Sequence, residues 1–254
     1  MKTKVKIFGE RNTGTNYLEK LIALNFKDIE LIKGVAPASL RFVAKYLSNS
    51  FGESLIDTYF KINKKSFGWK HTSLETWDET IYDSLIEDKV FIICMVKNPY
   101  SYLLSLYKRP YHLKVKANNF AQFLDEDFDL RHREGLSSQS RVNPISLWNA
   151  KVKSYLKARD RTSLMIIKYE DLLENYISVL KEISKYLNLE LRSDYRNYEK
   201  PAKKDNTKDF EYFRSYYIDE IWRSKLNSRE IEKINGVLDM DLLDAFGYKC
   251  LDGN

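Results

Sequence analysis

The residues of this chain whose spacing could do chemistry are a glycine-framed turn near its start and a lysine followed eight residues later by a serine. The turn lies in "KVKIFGERNTGTNYLEKLI" (Lys4–Ile22), which reads as a strand, a polar turn and an amphipathic helix. Gly9 and Gly14 enclose four residues, the outline of a phosphate-binding loop. Amides at Gly14, Thr15, Asn16 and Tyr17 are expected to point at one spot, where the helix macrodipole favours an anion. Thr13, Thr15 and Asn16 add side-chain donors, and Arg11 adds a full charge. A nucleoside triphosphatase would carry Lys and Ser or Thr after the second glycine. Here Thr15 and Asn16 stand there, so Mg²⁺-dependent hydrolysis loses two of its working parts. A plain strand-to-helix connection that needs glycine for its turn would look the same.

The second stretch is "VFIICMVKNPYSYLLSLYKR" (Val90–Arg109). A buried strand ends, Lys97 emerges at its carboxyl edge, and Asn98-Pro99 turns the chain into a helix carrying Ser105. Ligands of open α/β sheets sit beyond the carboxyl ends of the strands. Lys97 as a point charge and Ser105 as a hydroxyl donor could therefore meet one phosphate. The plainer alternative is a solvated lysine with a serine bonded to its own helix. A third stretch, "SLMIIKYEDLLENYISVLKEISKYLNL" (Ser163–Leu189), places Glu170 and Asp171 at a helix start, where the dipole stabilises carboxylates whatever their task. It reads as mainly structural.

These stretches need a sheet to hold them. Four runs read as buried parallel strands: Val5–Phe8, Ser66–Trp69, Val90–Val96 and Ser163–Tyr169. Helical patterns lie between them, at Thr15–Asn25, Trp77–Ile86, Pro99–Lys108, Pro144–Ala158 and Leu172–Leu187, and the tail from Asp205 is helical again. Strands separated by helices give an α/β fold of three αβα layers around a parallel sheet. Ala36–Asn63 reads as a weakly helical insertion and Leu130–Asn143 as a loop. With 254 residues the chain is expected to form a single domain, 1–254. A formal charge of +6 and a pI near 9.0 suit an anionic partner without choosing among nucleotide, glycan, lipid headgroup and nucleic acid. Two cysteines, Cys94 in an apolar run and Cys250, make no disulfide framework or metal motif. No window approaches the ~20 apolar residues of a membrane span, and no apolar signal core follows Met1. A cytoplasmic location is the expectation.

Taken together, the three stretches resemble the sulfotransferase family, which uses 3′-phosphoadenosine 5′-phosphosulfate. The family's 5′-phosphosulfate loop, Lys-Ser-Gly-Thr-Thr-Trp, is matched by Asn12, Thr13, Gly14, Thr15, Asn16 and Tyr17. Its 3′-phosphate motif, Arg-Asn-Pro with a serine eight residues after the arginine, is matched by Lys97-Asn98-Pro99 and Ser105. Its "YED-L" strand end is matched by Tyr169–Leu172, its terminal "GY" by Gly247-Tyr248, and the helix "LWNAKVKSYL" (Leu147–Leu156) also looks like the family. The resemblance runs from residue 4 to about 250, loosest at 36–63 and 110–140. It implies a P-loop NTPase-like sulfotransferase fold, a sulfate-bearing nucleotide as donor and no metal. It also implies a hydroxyl or amine acceptor, with a saccharide or lipid-linked saccharide favoured by the look of carbohydrate-type members.

The departures are specific. Asn12 stands where the family carries a cation facing the leaving oxygen, so either Arg11 or Lys70 is left to supply the charge. Tyr17 keeps an aromatic face in place of tryptophan, and Lys97 keeps the arginine's charge without its fork. "FGWKHTS" (Phe67–Ser73) resembles the family's Lys-x-His strand end, compressed to Lys70-His71, and makes His71 the candidate base. His112 and His132 lie in loops, and Glu75 or Asp78 is the acidic alternative. Lys203, Lys204 and Arg214 are candidates for a basic loop over the 3′-phosphate, although a charge run of this kind also reads as solvated surface. Two other readings stay open: a P-loop-like kinase of a nucleotide or sugar, which Gly14-Thr15-Asn16 opposes, and a basic nucleic-acid or acidic-glycan binding module, for which no nucleic-acid motif is present.

Overall fold

Three of the four apolar runs become strands, and their alternation decides which helices cover them. The computed structural model describes residues 2–111, 113, 117–136, 141–199 and 208–253. Strands β1 (Thr3–Gly9), β2 (Ile29–Leu31) and β3 (Val90–Val96) belong to the main sheet; β4 (Phe128–Asp129) and β5 (Arg141–Val142) form a separate antiparallel pair. With β6 (Leu164–Lys168) the main sheet has the order β2-β1-β3-β6, parallel throughout. Helices α1 (Thr15–Asn25), α2 (Ala38–Tyr46), α3 (Asn49–Ile62) and α4 (Glu79–Glu87) precede β3. Then come α5 (Pro99–Lys108), α6 (Phe120–Asp125), α7 (Pro144–Arg159) and α8 (Tyr169–Leu187). The described tail holds α9 (Phe210–Ile218), α10 (Ser228–Asn235) and α11 (Met240–Ala245).

Successive side chains of a strand face opposite sides of the sheet, and here both sides are apolar. Ile93 and Met95 of β3 join Val5 and Ile7 of β1 in a core with Leu18, Leu21 and Ile22 of α1 and Val179, Leu180 and Ile183 of α8. Ile92, Cys94 and Val96 enter the opposite core with Tyr102 and Leu103 of α5 and Trp148 and Val152 of α7. The result is the three-layer αβα arrangement expected from the sequence. Two helices start by the same device. Asn98 accepts from the Tyr100 and Ser101 amides ahead of Pro99, and Asn143 accepts from the Ser146 amide ahead of Pro144.

The run Ser66–Trp69 corrects the sequence reading. It is not a strand: Lys64–Ser66 is a short 3-10 turn, and Phe67 and Gly68 both have left-handed backbones (φ 53° and 85°). The third sheet neighbour is instead β2, a short, half-buried strand whose three residues gave no apolar run. Lys6, buried in the middle of β1, accounts for the substitution. Its ammonium donates to the carbonyls of Ser66 (2.6 Å), Gly68 (2.7 Å) and Lys33 (3.4 Å), so a side chain holds a turn where a ladder was expected. The turn still delivers the chain to the end of β1, where the Gly9 amide donates to the Lys70 carbonyl (2.9 Å) and the Lys70 amide to Gly34 (2.9 Å).

Candidate active site

Strands β1 and β3 are neighbours in register, Gly9 beside Met95, so their two strand-to-helix junctions open side by side. In the first junction Asn12 and Gly14 have positive φ (67° and 91°), and Gly14 caps α1. A Cβ on Gly14 would stand 2.3 Å from the Tyr169 ring, so glycine is required there by contact as well as by φ. The Gly14 carbonyl accepts the amides of Tyr17 (2.9 Å) and Leu18 (3.1 Å), which removes Tyr17 from the expected ring of donors. The amides of Gly14, Thr15 and Asn16 have no partner among the described residues and sit at the positive end of the helix dipole. Asn12 lines the same cavity, and its buried side-chain nitrogen likewise has no partner among the described residues. A buried orphan donor is costly unless something arrives to accept from it. Thr13 is turned the other way, its hydroxyl donating to the Glu10 carbonyl at 2.6 Å.

The second junction brings together the two residues that spacing had linked. Lys97, 1 % exposed, donates to Ser105 Oγ at 3.0 Å and to the Asn12 carbonyl at 3.4 Å, which ties the two junctions directly. Its Nζ also sits 3.8 Å from the centre of the Tyr217 ring and 5.0 Å from that of Tyr169. Burial alone would raise the Tyr217 phenol, but the Lys97 charge, hydrogen bonds from Lys97 and Ser105 and the Lys108 charge outweigh it and bring the pKa below its ordinary value. Glu170 clamps the turn from behind. Its carboxylate accepts from the Asn98 amide and from the Tyr248 hydroxyl, both at 3.0 Å, so the "YED" and "GY" pieces meet at the Asn-Pro turn and do structural work.

The opposite wall carries Lys70, His71 and Arg11. Lys70 Nζ lies 2.5 Å from Asn16 Oδ1 and 3.4 Å from Glu19 in the first turns of α1. His71 Nδ1 donates to the Gly9 carbonyl at 2.5 Å, which fixes the tautomer and leaves Nε2 as the nitrogen able to accept a proton. Burial first, then the Arg11 charge, lowers its pKa well below the usual imidazole value, so the ring is neutral at pH 7. Arg11 stacks between Trp69 (4.5 Å) and Tyr111 (5.2 Å) and pairs with Glu134 (3.3 Å) and Glu10 (3.6 Å).

Behind His71 lies a group that the sequence reading missed. Lys151 of α7, 1 % exposed, donates to the His71 carbonyl (2.6 Å) and to the Glu134 carbonyl (2.9 Å) and carboxylate (3.0 Å), with Glu10 at 3.5 Å. Its signal was present. Lys151 occupies the buried face of α7 with Leu147, Trp148 and Tyr155, where a lysine needs buried partners. The Phe210–Tyr217 aromatic series of α9 was also passed over in favour of its charges, yet Phe210, Tyr212, Phe213, Tyr216 and Tyr217 line the cavity.

One cavity of about 480 Å³ is lined by Arg11, Asn12, Gly14, Thr15, Asn16, Tyr17, Lys70, His71, Lys97 and Ser105. Thr13 and Arg214 are not among its lining residues, nor are Glu75, Asp78 and His132; Asp78 instead caps α4. Lys203, Lys204 and His112 lie outside the described residues. A buried neutral imidazole has a testable consequence. As pH falls below about 6.5 the unfolded chain takes up the proton before the folded one does, so this group makes stability decline with acid. Glu10 and Glu170, both raised by burial, work in the opposite sense. The decline in urea midpoint from about pH 7.5 to about pH 5.5 is therefore expected to be shallower in His71→Gln than in the parent. Equal slopes would remove the depressed imidazole.

Residues 2–236 match the family model described as a sulfotransferase domain. Among solved structures, the sulfotransferase domain from the Synechococcus PCC 7002 olefin synthase superposes with a TM-score of 0.50 at 12% identity, over 98% of this chain and 96% of that one. The sulfotransferase domain from the curacin biosynthetic pathway gives 0.47 at 13% identity, over 99% of each chain. Mouse sulfotransferase SULT7A1 complexed with PAP gives 0.47 at 17% identity, over 75% of this chain and 60% of that one. No curated protein matches the chain.

Proposed function

The chain belongs to the sulfotransferase family, and from that premise we propose that it moves a sulfuryl group from 3′-phosphoadenosine 5′-phosphosulfate to a hydroxyl or amine of a saccharide or lipid-linked saccharide. The observation that carries the reading is the meeting of the two junctions at Lys97, whose Nζ contacts both Ser105 and the Asn12 carbonyl on the wall of one cavity. That wall suits a ligand with an anion at each end. In this reading Asn12, the first-turn amides of α1 and Lys70 take the 5′ end and Lys97 and Ser105 the 3′ end, all of them lining the same cavity. Between them Tyr17, its ring 6.1 Å from Phe210, offers a face for adenine. Lys203 and Lys204 are assigned to the 3′-phosphate on the resemblance alone. The reading takes residues 1–254 as one cytoplasmic sulfotransferase domain.

When bound, the donor supplies the sulfuryl group, and charge grows on its leaving phosphate during transfer. The chain positions the reactants and meets that charge. Lys70 is assigned the cation that Asn12 lacks, because Arg11 is engaged by two buried carboxylates, Glu134 and Glu10, whereas Lys70 bonds Asn16 and pairs with one partly exposed carboxylate, Glu19. His71 Nε2 takes the acceptor's proton, its ring held by Gly9 and its backbone by Lys151. Tyr111, 51 % exposed beside Arg11, gives a sugar an apolar face and a cation on the wall that carries the base.

Thermal unfolding tests the donor. At a hundredfold excess over Kd, 3′-phosphoadenosine 5′-phosphate should add about 2.7 kcal/mol of stability, while ATP with Mg²⁺ should add little. Equal shifts, or none with the bisphosphate, would overturn the assignment.

A further inference from the structure

The α2–α3 insertion turns an apolar side to solvent. Helix α2 buries none of its residues, and Phe42, Val43 and Tyr46 are 63 %, 50 % and 72 % exposed. Phe42 and Tyr46, one helical turn apart, bring their rings within 4.9 Å. Gly52 of α3 lies so close to Ala44 that a Cβ would stand 2.3 Å from the Ala44 carbonyl oxygen, which sets the neighbouring exposed Phe51 beside α2. Single exposed apolar residues are ordinary; aromatic ones gathered at one end of a hairpin mark a binding surface.

The charges around this surface choose its occupant. Arg41 and Lys45 are exposed on α2 beside the aromatic pair, and Lys33, Lys61, Lys64 and Lys65 are exposed toward the other end of the hairpin. The acids within residues 33–65 are Glu53 and Asp57, and Arg133 binds both. A second copy of the chain would bring the same cations face to face. An anionic lipid leaflet answers both features, taking aromatic side chains at its headgroup level and attracting Arg41, Lys45 and the hairpin's further cations. Among the described residues no helix is long and apolar enough to cross a membrane, so the contact is peripheral.

We propose that the α2–α3 hairpin docks on an anionic phospholipid surface through Phe42, Tyr46 and Phe51. The hairpin is joined to the cavity rim through Arg133, which holds Glu53 and Asp57 of α3 and stacks 5.0 Å from the centre of the Trp69 ring. Docking would place the Trp69–His71 wall close to lipid-borne acceptors. That consequence rests on the acceptor side of the proposed function; the docking does not.

Co-sedimentation with phosphatidylcholine vesicles, with and without phosphatidylglycerol, tests it in the absence of donor and acceptor. Binding should require phosphatidylglycerol, weaken with added salt, and fall about tenfold or more in the double variant Phe42→Ser, Tyr46→Ser. The variant should bind 3′-phosphoadenosine 5′-phosphate as the parent does, since neither side chain is among those lining the cavity. Equal binding to neutral vesicles, no binding, or full binding by the double variant overturns the proposal. So does a solution dimer that the double variant abolishes. No outcome depends on sulfuryl transfer, so a failed donor assignment and a failed docking surface are told apart.

Discussion

His71→Ala is expected to bind 3′-phosphoadenosine 5′-phosphate about as tightly as the parent and to transfer sulfuryl groups ~10²–10⁴-fold more slowly, the range by which a positioned base contributes. The split follows from the two walls of the cavity. Lys97 follows β3, Ser105 lies on α5 and the amides lie on the first turn of α1, whereas His71 reaches the site from the turn after the Lys6-held carbonyls. Nδ1 is committed to the Gly9 carbonyl, so the ring's chemistry is confined to Nε2, and burial keeps that nitrogen unprotonated at working pH. His71→Gln serves as the folding control, because its amide can still donate toward Gly9 while offering no basic nitrogen. Both variants should lose kcat with KM for the donor nearly unchanged, the pattern of a group acting in the transition state. Parent-like turnover in either variant would move the base elsewhere.

What the sequence made legible here was whatever depends on local spacing. The Asn98-Pro99 and Asn143-Pro144 helix starts, the β3 run and the eight-residue step from Lys97 to Ser105 are each written within one segment. The failures concern side chains whose partners are distant in sequence. Lys6 reads as the polar member of a strand, and nothing local says that it will hold the carbonyls of Ser66 and Gly68 some sixty positions away. For that reason the Ser66–Trp69 run reads as a strand from sequence alone, and the short β2 does not. Lys151 and Glu134 are the same kind of case. Each is an unremarkable charge on its own helix or turn, and together with Glu10 and Arg11 they form a buried network under the candidate base. Their burial carried the clue, because a lysine on the apolar face of α7 must find acceptors or stay out of the core.

Lys97→Met should leave folding nearly intact while weakening 3′-phosphoadenosine 5′-phosphate by ~10–100-fold. The loss corresponds to one charge-assisted hydrogen bond of about 1.5–3 kcal/mol. Folding is largely spared because the groups the ammonium touches, Ser105 Oγ, the Asn12 carbonyl and the Tyr217 ring, are all neutral, and the buried Glu170 carboxylate that also feels its charge keeps the Asn98 amide and the Tyr248 hydroxyl. Methionine nearly matches the volume left behind. Ser105→Ala removes only a hydroxyl that also donates to the Ser101 carbonyl, and should cost less, about three- to tenfold. Lys97→Arg should hold affinity or improve it, since a planar fork can meet two phosphate oxygens at once. Titration calorimetry reads all three. Turnover at saturating donor adds the contrast with His71, because losing a residue that binds one end of the donor equally before and during transfer raises KM and leaves kcat almost unchanged. Should Lys97→Met bind the bisphosphate as the parent does, the β3–α5 junction would not hold the nucleotide, and the shared cavity would lose its role as the donor site.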